Sequence, residues 1–170
     1  MMATLILSVV GSDRPGLTQS LAAAVLSAGG NWLESRLSRL GGLYVGSVLV
    51  EGDAEALRAA VQAVDADGLE VRIAPSIEGA EAAGEVVRLS LVGQDRPGIV
   101  ARVTGVLSGL DVNIETFATE VTAEPHSGAP LFHMDAGLRL PAGRTADEVQ
   151  DALEAISAEV MVDLSLTAAA

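Results

Sequence analysis

Two stretches decide the fold of this chain: Gly11-Ser12-Asp13-Arg14-Pro15-Gly16 and, 82 positions later, Gly93-Gln94-Asp95-Arg96-Pro97-Gly98. The same displacement aligns Leu17 with Ile99 and Asn31 with Asn113. A loop, the residue that follows it and a later Asn rarely recur in one register by chance. The sequence therefore indicates an internal duplication.

Both loops join a short apolar run, residues 4–10 and 86–92, to a helical pattern. After each loop the apolar residues recur three or four positions apart, which predicts helices over 15–28 and 97–109 with one buried face. Pro15 and Pro97 suit the first helical position, because proline lacks an N–H group that would be unsatisfied there.

The loops offer two kinds of contact to a small ligand. Gly16 and Gly98 leave the N–H groups of the first helical turn uncovered, and a helix N-terminus attracts a carboxylate or a phosphate. Asp13 and Asp95 could accept hydrogen bonds from an ammonium group. Together these groups would suit a free amino acid. The alternative is that Asp, Pro and Gly serve only as turn residues and that the Asp caps the helix.

Each half of the chain predicts the same order of elements. The first half indicates strands at 4–10, 31–40, 43–51 and 69–75, helices at 15–28 and 53–64, and a hairpin turn at Gly41-Gly42. The second half indicates strands at 85–92, 112–122, 130–140 and 160–167 and helices at 97–109 and 145–158, the latter with a capping box of Thr145 and Glu148.

The order βαββαβ predicts an α+β fold of two ferredoxin-like domains in tandem, each an antiparallel sheet with two helices on one face. We expect the first domain at 1–78, a linker at 79–84 and the second domain at 85–170. The uncovered sheet faces are expected to carry apolar side chains, namely Ile6, Val10, Val45 and Val87. Such faces, or the strand edges, need a partner, either the other domain or another subunit, and a homodimer is expected.

Composition excludes several classes of protein. The formal net charge is −13, lysine is absent and aromatic residues make up 2% of the chain, so direct binding to nucleic acid is not expected. The chain has no cysteine, which excludes disulfides and thiolate metal sites. No apolar run reaches the ~18 residues of a membrane helix, and no basic segment precedes the first strand. The cytoplasm is the expected compartment, and no cofactor is predicted.

The Asp-Arg-Pro-Gly loops, each followed by Asn in a βαββαβ unit, resemble the ACT domain, a module that senses small molecules and typically amino acids. Two further segments extend the resemblance to the glycine cleavage system transcriptional repressor family. They are Asn31-Trp32-Leu33-Glu34-Ser35-Arg36-Leu37 and Pro125-His126-Ser127-Gly128-Ala129-Pro130-Leu131-Phe132.

The resemblance implies a bacterial regulatory protein that binds an amino acid such as glycine or serine and modulates a partner protein, without catalytic residues. It implies a ligand site between the first loop-helix junction and a neighbouring ACT unit. The residues carried over by position are Asp13, Arg14, Gly16, Leu17, Asn31, Asp95, Arg96, Gly98, Ile99 and Asn113. The alternative function is a regulatory subunit of an amino-acid metabolic enzyme, although such subunits typically carry one such loop and not two.

Other chemistry has weaker support in the sequence. His126, His133 and Asp135 lie close together in the chain, but metal binding would need converging ligands. Ser127 with either His and Asp135 lacks the context of a nucleophile elbow. Arg36 and Arg39 are assigned to a solvated strand edge. We also expect the longer hairpin after residue 122 to cover a ligand or to fill an interface.

Overall fold

The computed structural model of the protein describes residues 2–65, 68–77 and 83–168. The chain divides into two compact units, Met1–Gly79 and Ala80–Ala170. Residues 79–82 of the expected linker lie outside the described residues, so the boundaries 1–78, 79–84 and 85–170 stay a prediction. In the described part of the chain, no helix is long and apolar enough to cross a membrane.

The first unit has the predicted order βαββαβ. Its elements are β1 (Met2–Ser12), α1 (Leu17–Ser27), β2 (Asn31–Leu40), β3 (Leu43–Asp53), α2 (Ala54–Asp65) and β4 (Leu69–Pro75). The strands form one antiparallel sheet in the order β2-β3-β1-β4. Leu40 pairs with Leu43, so Gly41 and Gly42 form the hairpin turn, with φ of 59° and 85°.

The second unit repeats this architecture. Its elements are β5 (Val86–Gln94), α3 (Ile99–Gly109), β6 (Asn113–Ala123), β7 (Pro130–Arg139), α4 (Ala146–Val160) and β8 (Val162–Ala168), and the sheet order is β6-β7-β5-β8. Even the irregularities coincide, because β2 shifts register between Trp32 and Glu34 and β6 shifts between Ile114 and Thr116. The predicted fold class and the duplication are confirmed.

Strand periodicity builds each core. Leu5, Leu7 and Val9 alternate along β1 and are at most 4% exposed, because one side of the sheet lies under the helices. α2 contributes Leu57, Val61 and Val64 to the same cluster. The second core is built in the same way, because Leu89 and Leu91 on β5 belong to one cluster with residues of α3 and α4.

One expected surface residue lies in the core. Val87 is 1% exposed and belongs to the second hydrophobic cluster, so its assignment to the uncovered sheet face was wrong. The 82-residue displacement aligns Val87 with Leu5, which has the same strand parity and faces the helices. Ile6, Val10 and Val45 alternate with the core residues of their strands and lie on the other face of the sheet. Ile6 and Val45 are half-buried, and Val10 is 37% exposed.

Two helices are capped by side chains. The carboxylate oxygen Oδ1 of Asp53 accepts hydrogen bonds from the N–H groups of Glu55 and Ala56, each at 3.1 Å. At the start of α4, the N–H of Glu148 donates to Thr145 Oγ1 and the N–H of Thr145 donates to the Glu148 carboxylate. This is the predicted capping box, and the hydrogen bond from the Thr145 backbone holds the pKa of Glu148 below its usual value.

We expect Thr145→Ala to lower the free energy of unfolding of the second unit by about 1 kcal/mol, because it removes the cap of α4. Urea unfolding measured by circular dichroism tests this. Thr104→Ala is the matched control, since Thr104 bonds only a carbonyl of its own helix, that of Val100. An equal loss in both variants would contradict the assigned role of the cap.

Candidate functional site

Each repeated loop ends in a glycine with left-handed backbone geometry. Gly16 has φ 94° and ψ −6°, and Gly98 has φ 97° and ψ −6°, so the two copies agree closely. These glycines are the N-cap residues, and the helices begin at Leu17 and Ile99. The prediction that Pro15 and Pro97 occupy the first helical position was therefore wrong. The glycine reverses the chain between proline and helix, which residues with a Cβ resist.

Neither of these helix starts is capped by a side chain, in contrast to α2 and α4. The first backbone bond of α1 runs from Ser20 N–H to the Gly16 carbonyl at 2.8 Å, and that of α3 from Arg102 N–H to Gly98 at 3.0 Å. The N–H groups of residues 17–19 and 99–101 precede the first intrahelical donors and point out of the helix end. Asp13 and Asp95 do not cap these helices, so the capping role in the alternative interpretation was wrong, whereas Pro15-Gly16 and Pro97-Gly98 do form turns.

The sheet holds both loops in the same place. The N–H of Asp13 donates to the Gly42 carbonyl at 3.4 Å, and the N–H of Asp95 donates to the Pro130 carbonyl at 3.1 Å. Gly42 directly precedes Leu43, which pairs with Ser12 at the end of β1. Pro130 likewise precedes Leu131, which pairs with Gln94 at the end of β5. Each loop is therefore fixed against the end of a hairpin, next to an open helix start.

The other candidate residues divide into two groups. Asp13, Arg14, Asp95 and Arg96 are exposed in the loops. Leu17 and Ile99 are 4% and 2% exposed and pack in the two cores, so only their backbone N–H groups face the loop. A ligand at this position would contact backbone, not these two side chains.

Asn31 and Asn113 do not join the loop of their own unit. Each is the first residue of an edge strand and follows the far end of the helix. Asn31 pairs with Glu51 on β3, and Glu51 pairs with Thr4 near the start of β1. The loop follows Ser12, at the other end of β1. Eight residues of strand span roughly 27 Å, so these side chains cannot meet one small ligand with the Asp of the same unit. Their assignment as ligand contacts stays a prediction.

Arg39 is a neighbour of the first loop that sequence reasoning left at a solvated edge. Its Nε lies 2.9 Å from Oδ2 of Asp13. Nearby, the hydroxyls of Thr18 in the first turn of α1 and Tyr44 in β3 are 2.6 Å apart. The sequence could have predicted this contact. The two-residue turn at Gly41-Gly42 places Arg39 opposite Tyr44, and Tyr44 pairs with Gly11, which lies beside the loop.

The residues considered for other chemistry are engaged elsewhere. His133 Nε2 lies 2.9 Å from Thr122 Oγ1, and the Ser127 hydroxyl donates to Glu124, so these residues form no triad. The hydroxyl of Ser90, followed by the guanidinium of Arg88, holds the pKa of Asp135 below its usual value. Across residues 2–65, 68–77 and 83–168, no three His, Cys, Asp or Glu side chains are grouped to hold a metal ion.

Sequence comparison finds an ACT domain in the first unit. Residues 3–73 match the family model of the ACT domain. The glycine cleavage system transcriptional repressor of Escherichia coli K12 is 23% identical over 163 residues, which cover 92% of this chain and 85% of that protein.

Solved structures share the architecture over the whole length. A crystal structure of an unknown protein from Galdieria sulphuraria is similar with a TM-score of 0.88 and 28% identity, and the match covers 100% of both chains. The crystal structure of a protein described as a glycine cleavage system transcriptional repressor matches with a TM-score of 0.69 and 16% identity over 99% of both chains. The latter similarity concerns the fold alone.

We expect Gly98→Ala to lower the free energy of unfolding by about 1–2 kcal/mol, because the left-handed geometry penalises a Cβ even where there is room for it. Beyond the adjacent residues and the neighbouring backbone of the helix, a Cβ at Gly98 or Gly105 would have no heavy atom of the described residues within 4 Å. Gly105→Ala, in the interior of the same helix, is the matched control and should raise stability by about 0.5–1 kcal/mol. Urea unfolding of both variants measures the difference, and a destabilisation of equal size in both would contradict the role of Gly98.

Proposed function

We propose that this chain, which carries an ACT domain in residues 3–73 and repeats its topology in the second unit, is a regulatory protein that binds a free amino acid. Binding occurs at the start of α1, of α3 or of both. The observation that carries the proposal is that these two helices begin on a left-handed glycine without a side-chain cap, beside an exposed Asp.

The geometry suits the two charged ends of an amino acid. Its carboxylate would accept hydrogen bonds from the N–H groups of the first helical turn, which carry the positive end of the helix dipole. Its ammonium group would meet the carboxylate of Asp13 or Asp95. The similarity to a glycine cleavage system transcriptional repressor favours a small amino acid such as glycine or serine.

The regulatory part of the proposal rests on charge and on the relatives. A net charge of −13 without lysine disfavours contact with nucleic acid, so regulation would pass through a partner protein. The relative from Escherichia coli is a transcriptional repressor of the glycine cleavage system, which favours a partner in gene regulation. We also propose that the chain acts as a homodimer and catalyses no reaction. Ligand binding would shift the protein between two arrangements with different affinity for the partner.

The test is thermal unfolding with each of the twenty amino acids. A ligand at a hundred times its dissociation constant stabilises the native state by ~2.7 kcal/mol. We expect at least one small amino acid to raise the unfolding temperature, and Asp13→Asn combined with Asp95→Asn to abolish the shift. Asp147→Asn combined with Asp151→Asn, at two exposed positions of α4, is the control of equal charge change and should leave the shift intact.

A shift that survives the loss of both loop carboxylates would place the ligand elsewhere. The absence of a shift with any amino acid would contradict the sensor function. Affinity capture of a metabolic enzyme with the purified protein, in place of a transcription factor, would favour a role as an enzyme's regulatory subunit.

A further inference from the structure

The two repeated loops share their sequence and backbone geometry but have different neighbours. Position 39 of β2 and position 121 of β6 are equivalent in strand register. Position 39 pairs with Tyr44, which pairs with Gly11 on β1. Position 121 pairs with Phe132, which pairs with Gly93 on β5. The first copy has Arg39 at this position and the second has Val121. The two copies therefore differ in charge at this position.

In the first copy the Asp carboxylate already has a cationic partner. Arg39 Nε lies 2.9 Å from Asp13 Oδ2, and the side chain of Asp13 is 37% exposed. An ammonium ligand would have to compete with this guanidinium for the Asp13 carboxylate, whose negative charge the ion pair already offsets. The surroundings are polar as well, since Thr18 and Tyr44 share a hydrogen bond of 2.6 Å at the start of the helix.

In the second copy the carboxylate is available. Within the described residues, Asp95 forms no ion pair, and the guanidinium of Arg96 donates to Gln94 at 3.3 Å. The positions equivalent to Thr18 and Tyr44 are Val100, 39% exposed, and Phe132, 7% exposed. Val121 is 55% exposed. The second loop thus combines a carboxylate outside any ion pair of the described residues with an apolar side.

From this difference we infer that the loop at Asp95 is the amino-acid site and that Arg39 keeps ammonium ligands out of the loop at Asp13. This inference rests on the proposed function and assigns one ligand to each chain. Arg39 acts as a specificity-determining residue, since it occupies the carboxylate that the ligand would need. The apolar side formed by Val100 and Val121 favours a ligand with an aliphatic or small side chain over a charged one.

The test exchanges the two residues. Wild type is titrated by calorimetry with each of the twenty amino acids, and every amino acid that binds is titrated into Arg39→Val and into Val121→Arg. We expect wild type to bind one ligand per chain, Arg39→Val to bind two, and Val121→Arg to bind at least tenfold more weakly. Both positions are exposed, so we expect the variants to fold, and circular dichroism of each variant checks this.

Arg36→Val is the matched control. Arg36 lies on the same strand and forms an ion pair of 2.9 Å with Glu34, so the substitution changes the charge equally and leaves Asp13 paired. We expect one ligand per chain in this variant, and we expect Asp95→Asn but not Asp13→Asn to abolish binding to otherwise wild-type protein.

Two equal sites in wild type would sustain the proposed function and overturn the inference about Arg39. The inference is also overturned if Asp13→Asn abolishes binding and Asp95→Asn does not, or if Arg36→Val gains a second site as Arg39→Val does. Failure of wild type and Arg39→Val to bind any amino acid would overturn the proposed function together with the inference.

Discussion

Two helices in this protein begin on a glycine in left-handed conformation, and this backbone reversal sets the character of both repeated loops. At these starts the described residues supply no capping hydrogen bond from a side chain to the helix N-terminus. Elsewhere in the same fold, Asp53 and Thr145 close the helix starts in the ordinary way. Because the fold supplies caps at α2 and α4, the absence of a side-chain cap at α1 and α3 supports the proposal that an external acceptor binds there.

Comparison of the two copies distinguishes features that the fold needs from residues that affect the proposed ligand site. The strand pairing, the register shifts in β2 and β6 and the glycine geometry are the same in both copies, since each is needed to build the sheet and the loop. Arg39 and Val121, by contrast, are exposed residues at equivalent positions of β2 and β6. Divergence at these positions changes the charge that a ligand meets without disturbing the packing.

Much of the fold follows from the sequence, because alternating and helical periodicities report burial directly. The capping box at Thr145 and the Gly41-Gly42 hairpin were predicted from local chemistry and are confirmed. Val87 was misplaced because one residue of strand parity decides which face a side chain occupies. The helix starts were misplaced because proline followed by glycine is compatible with a helix or with a turn, and only the backbone angles decide. The contact of Arg39 with Asp13 needed the strand register, which joins residues far apart in the chain.

The central claim is that the open N–H groups at the start of α1 or α3 bind the carboxylate of an amino acid. Two-dimensional ¹H–¹⁵N NMR of the protein, titrated with the amino acids that stabilise it, tests this claim most directly. The account predicts that the amide shifts fall at Gly98 and at residues 99–101 and that residues 17–19 stay unchanged in the wild-type protein. Shifts confined to other parts of the chain, with both helix starts unchanged, would contradict it.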